Sequence, residues 1–174
     1  IAGMSPMPAP SPFAYDGLLY LNGGAGTSMI AIKPGAAGDL TTQEGAKLHD
    51  SVAWTRPKSG TAYPTQLVYD GGLYILTHNG ILTRLDAKTG EQTYKARIGE
   101  GGDFSSSPWA YNGRIFCLNE DGKTFVIAAG AKFELLHSND LEEMSLATPA
   151  IVGDRLILRT ENHLYSIRSR SSVN

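Results

Sequence analysis

The sequence predicts an all-β fold made of repeated units, and three observations support this prediction. A short turn followed by an apolar run recurs at Asp16-Gly17, Asp70-Gly71, Asn112-Gly113 and Gly153-Asp154. The spacings between Gly17, Gly71, Gly113 and Asp154 are 54, 42 and 41 residues, and the last two match a propeller blade of four short strands at about 40–45 residues. No segment keeps helical apolar spacing for three turns without Gly or Pro. We therefore predict four four-stranded blades of a β-propeller.

Each repeat has the same internal order of strands and turns. Asp-Gly and Asn-Gly accept the positive φ of a tight hairpin turn. A second turn follows at Asn79-Gly80, Asp121-Gly122 and Glu161-Asn162, and a third strand comes after it. The longer first spacing indicates one insertion, residues 34–50, which we expect to form a long loop or a short hairpin on the blade rim.

These repeats divide the chain into blades at approximately residues 9–60, 61–102, 103–144 and 145–174. We expect residues 1–174 to form a single propeller segment, with the last blade incomplete or completed by another strand. Four blades in an open half-ring would leave apolar surface and sheet edges uncovered. We therefore expect either pairing that gives about eight blades or closure as an unusually small propeller.

The composition is that of an ordered protein, with 41% hydrophobic and 18% charged residues. A formal net charge of −2 gives no electrostatic reason to expect nucleic acid. No apolar run approaches the roughly 20 residues that a membrane helix needs. The single cysteine, Cys117, lies inside an apolar strand, where a small buried hydrophobe is the expected role rather than a nucleophile.

The segment Leu85-Asp86-Ala87-Lys88-Thr89-Gly90-Glu91, which follows a hairpin, resembles the pyrroloquinoline-quinone-like (PQQ-like) propeller repeat. That repeat occurs in quinoprotein alcohol dehydrogenases and in the outer-membrane assembly lipoprotein, and the resemblance covers nearly the whole chain. It implies the C-terminal half of a bacterial propeller of about eight blades, with Asn174 near the natural C-terminus. It also implies a fourth-strand tryptophan that packs on the neighbouring blade. Trp54 fits that position, and the second repeat has Tyr94 there.

The sequence contains no recognisable catalytic or metal-binding pattern. His49, His78, His137 and His163 lack metal-ligand spacing, which favours surface or turn roles. The Ser105-Ser106-Ser107 run lacks the glycines of a nucleophile elbow. No residues match the calcium ligands or the catalytic aspartate that the resemblance to quinoproteins would require. We predict no catalytic residue, no metal and no cofactor.

The segments joining one blade to the next are the most informative place to look for a binding site. In propellers these connections and the innermost strands surround the central channel, where ligands usually bind. Their aromatic, amide and acidic side chains would suit a polar ligand such as a sugar or a peptide. The alternative is that Tyr63, Phe104 and Trp109 only pack between blades. The candidate binding residues are Tyr63, Gln66, Asp103, Phe104, Ser105, Trp109, Glu142 and Glu143.

These observations favour a non-catalytic binding or scaffold module for a protein or a glycan. The resemblance alone places such a protein in the periplasm or outside the cell. We also expect the chain to pair with another copy of itself or with an N-terminal propeller half. The alternative is part of a PQQ-dependent dehydrogenase whose catalytic residues lie in a missing N-terminal portion. A WD-type interaction propeller ranks last, because no Gly-His or Trp-Asp signature is present.

Overall fold

The computed structural model describes Ser5 and residues 9–41, 47–100 and 102–168. Within these residues every regular element is a β-strand, and the strands form four antiparallel meanders. Blade 1 contains β1 (Phe13–Tyr15), β2 (Leu18–Asn22), β3 (Met29–Ile32) and β4 (Val52–Arg56). Blade 2 contains β5 (Leu67–Tyr69), β6 (Gly72–Leu76), β7 (Ile81–Asp86) and β8 (Gln92–Arg97). Blade 3 contains β9 (Trp109–Tyr111), β10 (Arg114–Leu118), β11 (Lys123–Ala128) and β12 (Leu135–Asp140).

Blade 4 has three strands within the described residues: β13 (Ala150–Val152), β14 (Arg155–Arg159) and β15 (Leu164–Arg168). The four meanders confirm the predicted all-β propeller architecture. The predicted insertion lies in the connection between β3 and β4. Its described residues, 33–41 and 47–51, contain no strand, and residues 42–46 lie outside the described part of the chain.

The first turn of each blade has the backbone that the sequence predicts. Asp16 and Gly17 have φ values of 46° and 75°, and the Asp-Gly and Asn-Gly pairs of blades 2 and 3 repeat this pattern with φ between 48° and 70°. Two successive positive φ values define the tight hairpin turn whose twist matches that of the flanking strands. In blade 4 the glycine comes first, at Gly153 with φ 61°.

The hydrophobic core lies between the blades. Tyr20, Met29 and Trp54 of blade 1 pack with Leu73 and Leu85 of blade 2 in one buried cluster. Blades 2 and 3 share a second cluster, and blades 3 and 4 share a smaller one around Trp109, Leu118 and Leu158. Because successive strand residues point to opposite faces, each inner blade contributes to two of these clusters. Cys117 is fully buried in the second cluster, as predicted.

Trp54 joins blade 1 to blade 2 as the resemblance implied. Its indole nitrogen donates to the carbonyl of Ala87 at 3.0 Å, and the Tyr20 hydroxyl donates to the same oxygen at 3.0 Å. The indole ring lies against Gly90, where an added Cβ would be 2.6 Å from a ring carbon. In blade 2 the equivalent residue is Tyr94, which packs edge-on against Phe133 of blade 3 at 5.8 Å.

A chain of hydrogen bonds links the four blades at the start of their first strands. The backbone N–H of Ser11 donates to the Thr65 hydroxyl at 3.0 Å, and that of Thr65 donates to the Ser107 hydroxyl at 2.9 Å. The N–H of Ser107 then donates to the Thr148 hydroxyl at 2.9 Å. We call these four residues the hydroxyl chain. Each lies two residues before its blade's first strand, so the first strands lie side by side as the innermost strands.

Candidate binding face

The three connections between blades are held against the turns between second and third strands. In the second connection, residues 98–108, the N–H of Phe104 donates to the His78 carbonyl of blade 2 at 2.7 Å. The Asp103 carbonyl accepts from the Glu120 N–H of blade 3 at 2.8 Å. The same two bonds recur one blade further on, from Ser145 to Glu120 and from Glu161 to Met144. Connections and turns therefore form one continuous surface, which we call the connection face.

An exposed aromatic and acidic cluster stands on the connection face between blades 2 and 3. The His78 ring contacts the Tyr63 ring edge-on at 5.2 Å, and its Nε2 lies 3.4 Å from an Asp103 carboxylate oxygen. Its Nδ1 lies 3.2 Å from the Phe104 carbonyl. Tyr63 is 52% exposed and the Asp103 side chain is 64% exposed. Both groups are therefore available to a ligand.

Glu120 adds a second carboxylate to this cluster. It accepts a hydrogen bond of 2.5 Å from the Ser105 hydroxyl, and the same oxygen lies 3.9 Å from His78 Nδ1. We call Tyr63, His78, Asp103, Ser105 and Glu120 the acidic cluster. Two carboxylates beside an exposed aromatic ring can bind a guanidinium or ammonium group through charge-assisted hydrogen bonds and cation–π contact.

Glu143, in the third connection, is engaged within the chain. Its carboxylate accepts hydrogen bonds from His163 Nδ1 at 2.9 Å, from the Thr160 hydroxyl at 2.8 Å and from the Asn162 N–H at 2.7 Å. The His163 hydrogen bond, with those from Thr160 and Asn162, lowers the pKa of Glu143 to about 2. The ionised carboxylate therefore ties the connection to the β14–β15 turn of blade 4. Glu142, beside it, is exposed and has a positive φ of 53°.

Three of the predicted residues have buried side chains. Phe104 packs against Phe125 at 6.0 Å, and Trp109 stacks on Phe116 at 5.4 Å. The Gln66 amide nitrogen donates within the first connection, to the Thr61 hydroxyl at 2.9 Å and to the Pro64 carbonyl at 3.2 Å. The Gln66 amide oxygen is buried and has no hydrogen-bond partner among the described residues.

The structure thus brings Tyr63, Asp103 and Ser105 together and adds His78 and Glu120, which the sequence analysis did not select. A signal for these two residues exists in the sequence. They stand 42 residues apart at equivalent positions of the second turn, the same separation as between the first turns of blades 2 and 3. Aligning the second turns as well as the first would have placed both on the connection face.

The residues that the structure describes contain no group of three or more His, Cys, Asp or Glu side chains that could hold a metal ion. The described part of the chain also offers no apolar helix of membrane-spanning length.

The repeated meanders, the tryptophan contact between blades and the connection face define a segment of a PQQ-like β-propeller. The chain belongs to the family whose model is described as "Outer membrane protein assembly factor BamB", which matches residues 35–173.

Three individual proteins illustrate the likeness, and each is longer than this chain. BamB from Yersinia pestis is 29% identical over 94 residues, which are 54% of this chain and 23% of that protein. The crystal structure of BamB from Moraxella catarrhalis matches 87% of this chain and 43% of its own, with a TM-score of 0.63 and 14% identity. A quinohemoprotein alcohol dehydrogenase from Pseudomonas putida matches 86% of this chain and 28% of its own, with a TM-score of 0.61 and 14% identity. The chain therefore spans less than half the length of each of these proteins.

Proposed function

We propose that this chain is a non-catalytic binding module that holds a basic segment of a partner protein on its connection face. The observation that carries the proposal is the acidic cluster, in which Asp103 and Glu120 flank His78 beside the exposed ring of Tyr63. Arginine suits such a site, because its planar guanidinium bonds to carboxylates in a fixed geometry and stacks on aromatic rings. Exposed Glu142 adds negative charge on the same face.

The relatives support a protein partner in preference to a glycan. The name of the Yersinia pestis and Salmonella typhimurium proteins describes a factor for assembling outer membrane protein. By extension we propose a location in the bacterial envelope, on its periplasmic side, for this chain. The similarity to the dehydrogenase, at 14% identity, is evidence for a shared fold only. We therefore propose no second function from it.

The binding proposal is tested with labelled peptides. A peptide of alternating Arg and Gly residues should bind, and the double variant Asp103→Asn, Glu120→Gln should weaken binding at least tenfold. Tyr63→Ala should weaken it less, because it removes the ring and leaves both carboxylates. Glu134→Gln is the matched control, since Glu134 is an exposed carboxylate in the β11–β12 turn, away from the second-to-third-strand turns of the connection face.

Two results would overturn the proposal. One is equal binding of the basic peptide by the parent and the double variant. The other is an oligosaccharide that binds in a Tyr63-dependent manner and displaces the peptide, which would make the connection face a glycan site.

We further propose that more blades complete the ring, contributed by a second copy of the chain or by an N-terminal propeller half. Leu164 supports this. It occupies the position that Met29 and Leu82 hold in blades 1 and 2, where both are fully buried, yet it is 71% exposed. The face of blade 4 that points away from blade 3 therefore presents an apolar residue at a position that, in blades 1 and 2, packs on the next blade.

Sedimentation of the chain distinguishes the forms of this proposal. Self-pairing predicts a species of twice 18.6 kDa that Leu164→Glu converts to a monomer. Pairing with an N-terminal half predicts additional blades encoded upstream of Ile1 in the gene. A stable monomer from a gene that encodes no further blades would refute ring completion.

A further inference from the structure

A cleft of about 540 Å³ separates blades 1 and 2 near the outer rim. Its volume lies within the range of about 300–1,000 Å³ that is typical of ligand sites. One wall is the end of β4 and the start of the first connection, with Arg56 and Lys58. The other wall is the face of blade 2 that carries Ile75, Thr83 and Lys95, which lie directly opposite one another across β6, β7 and β8.

The cleft exists because two residues differ from their equivalents one blade further on. Between blades 2 and 3, the Phe125 ring packs on Gly99, where an added Cβ would lie 2.7 Å from it. In blade 2, Thr83 takes the place of Phe125. Thr83 pairs with Ile75 of β6, and Phe125 pairs with Cys117 at the equivalent position of β10. Lys58, with φ 56°, lies two residues after the end of β4, as Gly99, with φ 52°, lies two residues after the end of β8. A small hydroxyl therefore replaces the ring that would fill the gap.

Among the described residues, the charges that line the cleft are all positive. Arg56, Lys58 and Lys95 line it, and no described Asp or Glu does. Among the described residues none of the three takes part in an ion pair, and Arg56 donates only to the neutral Gln92 side chain at 2.9 Å. A ligand that brings negative charge is therefore favoured by all three cations.

We infer that this cleft binds an extended acidic peptide segment. The cations stand on both walls, and the partly exposed apolar side chain of Ile81 lines the space as well, beside the nearly buried Ile75. Such a lining suits an extended chain, in which acidic and apolar side chains alternate in direction. A single small anion would leave one wall's charge and the apolar surface without a partner. This site does not depend on the basic-segment proposal, because it has the opposite charge preference and shares no residue with the acidic cluster.

The test uses a labelled peptide of alternating Glu and Val residues, with a Gln and Val peptide as its neutral counterpart. The double variant Lys58→Gly, Thr83→Phe reproduces the closed junction between blades 2 and 3 and should weaken binding of the acidic peptide at least tenfold. Lys95→Ala, at an exposed position, should weaken it several-fold without touching the core. Lys132→Ala, another exposed lysine, is the control and should change nothing. Binding should also weaken as salt is raised, because partly exposed charges are screened.

Several outcomes would overturn the inference. Equal binding of the acidic and neutral peptides would do so, as would unchanged affinity in both the double variant and Lys95→Ala. Complete displacement of the peptide by inorganic phosphate would show a small-anion site instead. The double variant Asp103→Asn, Glu120→Gln should leave acidic-peptide binding intact. Loss of basic-peptide binding alone therefore bears on the connection face, and loss of acidic-peptide binding alone bears on the cleft.

Discussion

Replacing Gly90 with alanine tests how blade 1 is joined to blade 2. Gly90 has φ +74°, and a Cβ there would lie 2.6–2.9 Å from three atoms of the Trp54 ring. The left-handed backbone costs an alanine about 1 kcal/mol or slightly more. Forcing a methyl group into a packed contact costs about 1–3 kcal/mol further. We expect Gly90→Ala to lower the free energy of unfolding by about 2–4 kcal/mol.

Gly17 supplies the matched control for this substitution. It has φ +75°, and no atom of the described residues lies within 4 Å of an added Cβ, so Gly17→Ala should cost only the backbone term of about 1 kcal/mol. Urea unfolding followed by circular dichroism measures both variants without relying on Trp54 as the probe. In a Trp54→Leu background, the cost of Gly90→Ala should fall toward that of Gly17→Ala. Equal costs for Gly90→Ala and Gly17→Ala in the parent, or an undiminished Gly90→Ala cost without the indole ring, would refute this account of the junction.

Four further predictions concern polar groups between the blades. Tyr94→Phe should stabilise the protein by about 1 kcal/mol, because it removes a buried hydroxyl that has no partner in the described part of the chain. Tyr20→Phe should destabilise it by a similar amount, because the Tyr20 hydroxyl donates to a carbonyl; the opposite order in urea unfolding would contradict both. Ser107→Ala should lower the free energy of unfolding by about 1 kcal/mol, because the Ser107 hydroxyl accepts a hydrogen bond from the Thr65 N–H of blade 2. It should also speed hydrogen exchange at the Thr65 amide, and Ser107→Thr should restore the protection. The hydrogen bond from His163, together with those from Thr160 and Asn162, holds the pKa of Glu143 at about 2, below its usual 4.5. Its stabilising effect is therefore complete above about pH 4.5 and lost as the pH falls toward 2. Glu143→Gln should flatten that part of the stability–pH profile.

Much of the fold could be predicted because the strand and turn signals are local. The Asp-Gly and Asn-Gly pairs carry their own backbone preference, and the alternating runs after them fix which side chains face a neighbouring blade. Trp54 was assigned correctly because its position in the repeat determines its contact. The final blade was predicted to be incomplete or completed by another strand, and the described residues contain three of its strands.

The binding face could be predicted only in part. The connections have no regular period, so their sequence does not tell which of two adjacent side chains points inward. Asp103 and Phe104 illustrate this, since one is exposed and the other fully buried. His78 reaches Asp103 only because the connection folds back onto a turn 25 residues earlier in the chain. The cleft depends on a pair of residues, Lys58 and Thr83, and neither is unusual by itself.

The hydroxyl chain gives the blades a direction. At every junction a backbone N–H of the earlier blade is the donor and a side-chain oxygen of the later blade is the acceptor. Such a link is head-to-tail, so a blade presented in reverse would bring two N–H donors together, and these cannot hydrogen-bond to each other. An additional blade that continues this chain of hydrogen bonds therefore enters with the same polarity. A partner half-ring would meet this chain at two junctions of identical sense, the hydroxyl of Ser11 accepting at one and the N–H of Thr148 donating at the other.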